Sequence, residues 1–204
     1  MKAIICVLAL VVSLETTGKE EFYHYLDGVF SMEARFTQNS YDGDGELLDS
    51  SEGLVRLAKP NKFKWIYTLP FSQEIVSDGE KVWILDRDLK QVTITNSISA
   101  ERDLLNLAFR GERAFGEYYK VEPISRKGDA HNWFEITPKG SSSLFEVAYL
   151  RFSGGDFSGF ELRTNVNRIL KVFFNDIENN VILDDKEFEL VLSEDVDVVE
   201  GFLN

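Results

Sequence analysis

The chain has 204 residues, 44% of them apolar, with 16 phenylalanines and a formal net charge of −13. That length suits one sheet or barrel domain, and the phenylalanines are ample for a core. The acidic balance argues against nucleic acid and anionic membrane surfaces, which are bound through basic patches, and permits a basic protein partner.

The first residues have the layout of a secretory signal. Lys2 precedes "AIICVLALVVSL" (3–14), an apolar run too short to cross a bilayer as a helix, and the polar "ETTG" follows. Residues 1–18 are therefore expected to be a removable signal peptide, and 19–204 a single exported domain. Its loss removes Lys2 and Glu15, one charge of each sign, so the net charge stays at −13. The only cysteine, Cys6, lies inside that segment. The mature chain is then expected to have no disulfide and no thiolate metal site. Ile4 and Ile5 precede Cys6 where a lipid-attachment box would have small residues.

"TGKEEFYHYLDGVF" (17–30) predicts a helix. Thr17 and Glu20 form a capping box, and Phe22, Leu26 and Val29 recur at helical spacing. The period then changes to two, with Met32, Ala34, Phe36 and Gln38 on one face, and "DGDG" (42–45) signals a hairpin. Strands are predicted at about 47–58, 62–69, 73–77, 81–86 and 91–96. "SISAERDLLNLAFRG" (97–111) interrupts them as a short helix, with Ser99 as N-cap and Gly111 after the last turn. Strands resume at about 117–122, 132–138, 144–152, 157–163, 168–177 and 186–192. The expectation is a mainly β fold, an antiparallel meander with two short helices. No linker or internal repeat divides it.

Catalytic constellations are missing from the sequence. His24 and His131 stand in no metal-ligand spacing and read as surface residues. Asp42, Asp44 and Glu46 imitate a calcium loop, but Leu47 and Gly53 occupy the positions that need Gly and Glu. "SSS" (141–143) lacks a nucleophile elbow. The chain is not expected to be an enzyme, and no cofactor or metal is expected.

"KPNKFKWIY" (59–67) carries the strongest pattern. Strand alternation puts Phe63, Trp65 and Tyr67 on one face and Lys62, Lys64 and Ile66 on the other. Two helices cannot cover a sheet of about a dozen strands. The sheet could curl into a half-closed barrel with the helices over its mouth. Alternation leaves open whether the aromatic face is a filled core or the wall of a lipid-sized cavity.

"FTQNSYDGDG" (36–45), "GLVRLAKPNKFKWIY" (53–67), "IVSDGEKVWI" (75–84) and the late "KEFEL" (186–190) together resemble the LolA family of periplasmic lipoprotein carriers, over about residues 20–200. The resemblance implies an unclosed antiparallel β-barrel with a helical lid over an apolar cavity. The implied cavity wall is Met32, Phe36, Val55, Leu57, Phe63, Trp65, Tyr67, Val82, Ile84, Phe134, Ile136, Val147 and Tyr149. The implied lid is Leu104, Leu105, Leu107 and Phe109. Lys59 falls where the family keeps an arginine that bonds lid carbonyls and holds the empty carrier shut. Phe63 matches an aromatic used in accepting cargo. The implied function is a periplasmic chaperone that shelters lipoprotein acyl chains on the way to the outer membrane. The implied partners are acylated lipoproteins, an inner-membrane ABC-type releasing complex and an outer-membrane acceptor lipoprotein, with the carrier a monomer. Two departures stand out: Lys59 replaces arginine, and residues 188–201 lack the family's double proline. The alternatives are a related half-barrel for another lipid or glycolipid, and a periplasmic sensor or interaction domain.

Overall fold

The computed structural model describes residues 9–95, 104, 105, 108, 110–140, 145–193 and 195–200, with side chains from 18 to 199 among them. Helix α1 spans Ala9–Gly28. Six strands follow: β1 Ser31–Tyr41, β2 Leu47–Ala58, β3 Lys62–Leu69, β4 Gln73–Ser77, β5 Val82–Asp86 and β6 Gln91–Thr95. Helix α2, Glu112–Tyr118, leads into β7 Tyr119–Ile124, β8 Asn132–Pro138, β9 Phe145–Ser153, β10 Asp156–Thr164 and β11 Ile169–Asn179. A 3₁₀ turn, Asp185–Phe188, and β12, Asp197–Glu200, complete the chain. Among the described residues, no helix is long and apolar enough to cross a membrane.

All twelve strands form one sheet in the order β12-β6-β5-β4-β3-β2-β1-β11-β10-β9-β8-β7. Two meanders, β1–β6 and β7–β11, are fused where β1 pairs antiparallel with β11. The terminal strands β7 and β12 are not neighbours, so the curved sheet is an unclosed barrel. Pro123 on edge strand β7 removes a donor from that edge, where it would otherwise invite another strand.

One face of the sheet carries the core. Met32, Ala34 and Phe36 of β1, Val55 and Leu57 of β2, Phe63 and Trp65 of β3, and Val172 and Phe174 of β11 are all buried there. The β2–β3 hairpin approaches closely at Gly53, beside a register shift between Glu52 and Gly53. A Cβ at Gly53 would lie 1.9 Å from the Ile66 carbonyl oxygen. That neighbour is backbone and cannot swing away. Gly53→Ala should cost about 2–3 kcal/mol, seen as a lower urea midpoint with an unchanged m-value.

Several sequence expectations are corrected. α1 does not begin at Thr17 but runs through it and ends at Gly28. No strand occupies 186–192. Residues 185–188 form the 3₁₀ turn, where Phe188 is buried while Val191 is exposed. The chain there covers the outer side of the sheet, where Arg56 pairs with Glu187 at 2.8 Å and Lys62 with Asp185 at 2.7 Å. β12 then adds to β6 in parallel. This covering gives β4–β6 buried residues on their outer face too, at Val76, Leu85 and Val92. Helix α2 was not foreseen, because only Phe115 of its seven residues is buried and Gly116 interrupts it.

Candidate functional site

The inner aromatic face is packed against itself and against α1. Phe36 meets Trp65 edge-on at 4.7 Å between centroids and Tyr67 at 5.1 Å. From above, α1 lays Phe22 and Leu26 onto the sheet, with Val29 just past its end, all three buried in the core cluster. The Phe22 ring reaches Phe134 of β8 at 5.0 Å, Phe152 of β9 at 5.9 Å and Phe115 of α2 at 5.6 Å. Tyr25 adds an edge contact to Phe152 at 5.1 Å. The aromatic wall is therefore packed as a core, with filling from the helix. The Trp65 indole N–H is buried there and finds no acceptor among the described residues.

The end of α1 is tied to the sheet by polar contacts. The Lys59 ammonium donates to the carbonyl oxygens of Leu26 (2.7 Å) and Asp27 (3.3 Å), both in the helix's last turn. Those carbonyls have no partner within the helix and carry the negative end of its dipole, so a cation suits them. Lys59 also lies 5.0 Å from the centroid of the Phe30 ring, and its backbone N–H donates to the Phe30 carbonyl. Burial pushes the Lys59 pKa below the ordinary lysine value, and the charge of Asp27 opposes that shift. Asn180, after β11, completes the fastening: its amide donates to the Gly28 carbonyl, and its oxygen accepts from the Phe30 N–H. The Asp27 carboxylate accepts from the Glu112 N–H at 2.9 Å, which joins the end of α1 to the start of α2. Asn180 and Asp27 were not singled out in the sequence, because their partners are about 150 and 85 residues away.

The expected wall residues fall into two groups. Met32, Phe36, Val55, Leu57, Phe63, Trp65, Val82, Phe134 and Ile136 are brought together in the buried cluster, with Tyr67 and Ile84 half-buried against it. Val147 and Tyr149 are not on this face. Glu135 pairs with Tyr149, and Ile136 with Ala148, so Ala148, Leu150 and Phe152 point inward instead. A bulge between Phe145 and Val147 slips the alternation by one residue. Tyr149 lies outside under the Arg126 guanidinium, which also covers Trp133 at 3.7 Å and pairs with Glu161. Of the expected lid, Leu104 and Leu105 are helical and buried in the cluster, as is Ala108. Leu107, Phe109 and the expected cap Ser99 lie outside the described residues. The Gly111 N–H bonds the Ala108 carbonyl with Gly111 at φ +89°, a helix-ending geometry.

Among the described residues, two clefts flank this interior. One, of about 470 Å³, lies between α1 and α2 and is lined by Tyr23, Asp27, Arg110 and Glu112 among others. The other, of about 400 Å³, opens at the turn end of β2–β5 beside Tyr67. Among the described residues no metal-binding group of His, Cys, Asp or Glu forms.

A family model for the outer membrane lipoprotein carrier protein LolA matches residues 27–191. An outer-membrane lipoprotein carrier protein of Chromohalobacter salexigens is 34% identical, over 94% of this chain and 91% of its own. One from Methylococcus capsulatus is 32% identical, over 91% of this chain and 89% of its own. In fold, the chain is similar to an uncharacterized conserved protein from Thermus thermophilus, with a TM-score of 0.55 at 10% identity, covering 91% of this chain and 99% of that one.

Proposed function

The chain belongs to the LolA family of outer-membrane lipoprotein carrier proteins, and from that premise we propose that it shelters the acyl chains of lipoproteins in the periplasm. It would receive them from an inner-membrane ABC-type releasing complex and pass them toward an outer-membrane acceptor. The observation that carries this reading is the way the concave aromatic face is filled. Phe22 and Leu26 belong to a helix fastened at its end by Lys59, and Val29 follows its last residue, so the three would be withdrawn together. Acyl chains take their place when α1 lifts. Aromatic walls suit this exchange, because they offer large apolar area with little rotamer freedom to lose. The buried Trp65 N–H costs free energy while unpaired, and an ester or amide carbonyl near the acyl chains would satisfy it.

The energetics favour a carrier that closes when empty. Sheltering one chain of ~15 methylenes is worth about 12 kcal/mol gross. A preformed open cavity taking several chains would approach the affinity limit and would not release them. The closed form subtracts the free energy of closure from binding, which leaves an affinity that permits hand-over.

The test uses the exported form of the protein, a triacylated lipopeptide and Nile red. The lipopeptide should bind at one site and displace the dye competitively. Failure to bind lipopeptide, with the fold intact by circular dichroism, would reject the reading and leave the interior an ordinary core.

A further inference from the structure

The antiparallel hairpins β1–β2, β3–β4 and β5–β6 all turn at the same end of the sheet, away from the Lys59 fastening. The side chains there are unusual for a soluble rim. Leu47, Leu69, Phe71 and Leu89 are exposed, Phe71 at 69% and Leu89 at 72%. Of these, Leu69 and Phe71 line the cleft of about 400 Å³ together with Ile75, Ile84 and Tyr67. The Tyr67 hydroxyl bonds Gln38 Oε1 at 3.3 Å, between the cleft and the Phe36–Trp65 pair.

The charged groups of this cleft have one sign. Asp49 and Asp86 line it, and no lysine or arginine does. Asp44, Glu46 and Asp88 stand in the adjoining turns. The two cations of the β5–β6 turn are engaged elsewhere, Arg87 with Glu74 and Lys90 with Asp195. An exposed apolar rim around a cleft marks an interaction site. Its carboxylates would repel an anionic lipid surface and attract cations.

We propose that this cleft docks a basic, apolar peptide segment of a partner protein, one in which lysine or arginine alternates with large apolar side chains. The apolar groups enter between Leu69, Phe71 and Ile84, and the cations meet Asp49 and Asp86. The site lies at the opposite end of the sheet from the fastening of α1, so it can hold a partner while α1 moves. It shares Tyr67 and Ile84 with the expected acyl wall, while Asp49, Asp86, Leu69 and Phe71 lie outside that wall.

Fluorescence anisotropy with a labelled, end-blocked hexapeptide alternating lysine with leucine and phenylalanine tests this directly. The peptide should bind, and a counterpart with glutamate for lysine should not. Asp49→Asn with Asp86→Asn should weaken binding about fivefold, and Phe71→Ser about tenfold. Both asparagines keep the acceptor oxygens used by Ser51 and by the Asp88 and Leu89 N–H groups, and Phe71 is exposed, so folding is preserved. The control pair Glu146→Gln and Glu178→Gln makes the same charge change elsewhere on the sheet and should leave affinity unchanged. An equal loss in the control, no binding of the basic peptide, or preferential co-sedimentation with phosphatidylglycerol vesicles would each overturn the proposal. Lipopeptide binding by the same variants, measured in parallel, separates this site from the acyl site.

Discussion

Lys59→Ala should keep the sheet folded and bind Nile red about tenfold more tightly than the parent chain, as a closure weakened by about 1.4 kcal/mol implies. The ammonium holds two last-turn carbonyls of α1. A cation at a helix C-terminus contributes about 0.3–1 kcal/mol when exposed and up to about 2 when partly buried. Lys59 is half-buried, so the lower part of the range for charge-assisted bonds applies after allowance for solvent. Losing it shifts α1 toward its lifted position, and apparent affinity rises with the fraction of competent molecules. Lys59→Arg should act in the opposite direction. A planar guanidinium is less costly to dehydrate and can serve both carbonyls at once. Unchanged dye affinity in Lys59→Ala would show that α1 is not held by this contact.

The sequence makes the sheet legible wherever one face is buried and the pairing is regular. The limits of β2, β3, β4 and β8 follow from alternation and turn residues alone, and they are observed as expected. Lys59 becomes legible only through the resemblance, because its partners are main-chain carbonyls of another element, which leave no trace in residue type. Val147 and Tyr149 went astray because a bulge changes the parity of a strand without changing its composition. "EFELVL" (187–192) has the alternation of a strand, yet it has no neighbour to pair with, and Phe188 alone finds a buried place. The question of core or cavity could not be resolved from period either. Both need the same apolar residues, and the difference lies in whether the filling group belongs to the sheet or to a detachable helix.

That difference is what Phe22→Ala measures. Phe22 is 1% exposed and touches four aromatic rings, among them walls of β8 and β9. Truncating such a ring costs about 3–5 kcal/mol when the site cannot collapse, and for a chain of this size about 2–4 °C of Tm per kcal/mol. A drop of roughly 6–20 °C is therefore expected. Phe160→Ala should cost as much, because Phe160 is fully buried against Phe157 and Phe174. The two variants should part in ligand affinity. Phe22 occupies the concave space from the helix side, so its removal both opens room and weakens closure, and lipopeptide should bind more tightly to the less stable protein. Phe160 belongs to the wall, so its removal damages the surface that the ligand needs, and lipopeptide should bind no better or worse. Opposite effects on affinity at similar cost in stability would identify α1 as a lid whose side chains stand in for cargo. Equal effects would make α1 an ordinary layer of the core, and the filled interior would then be the end state of folding, with no carrier cycle behind it.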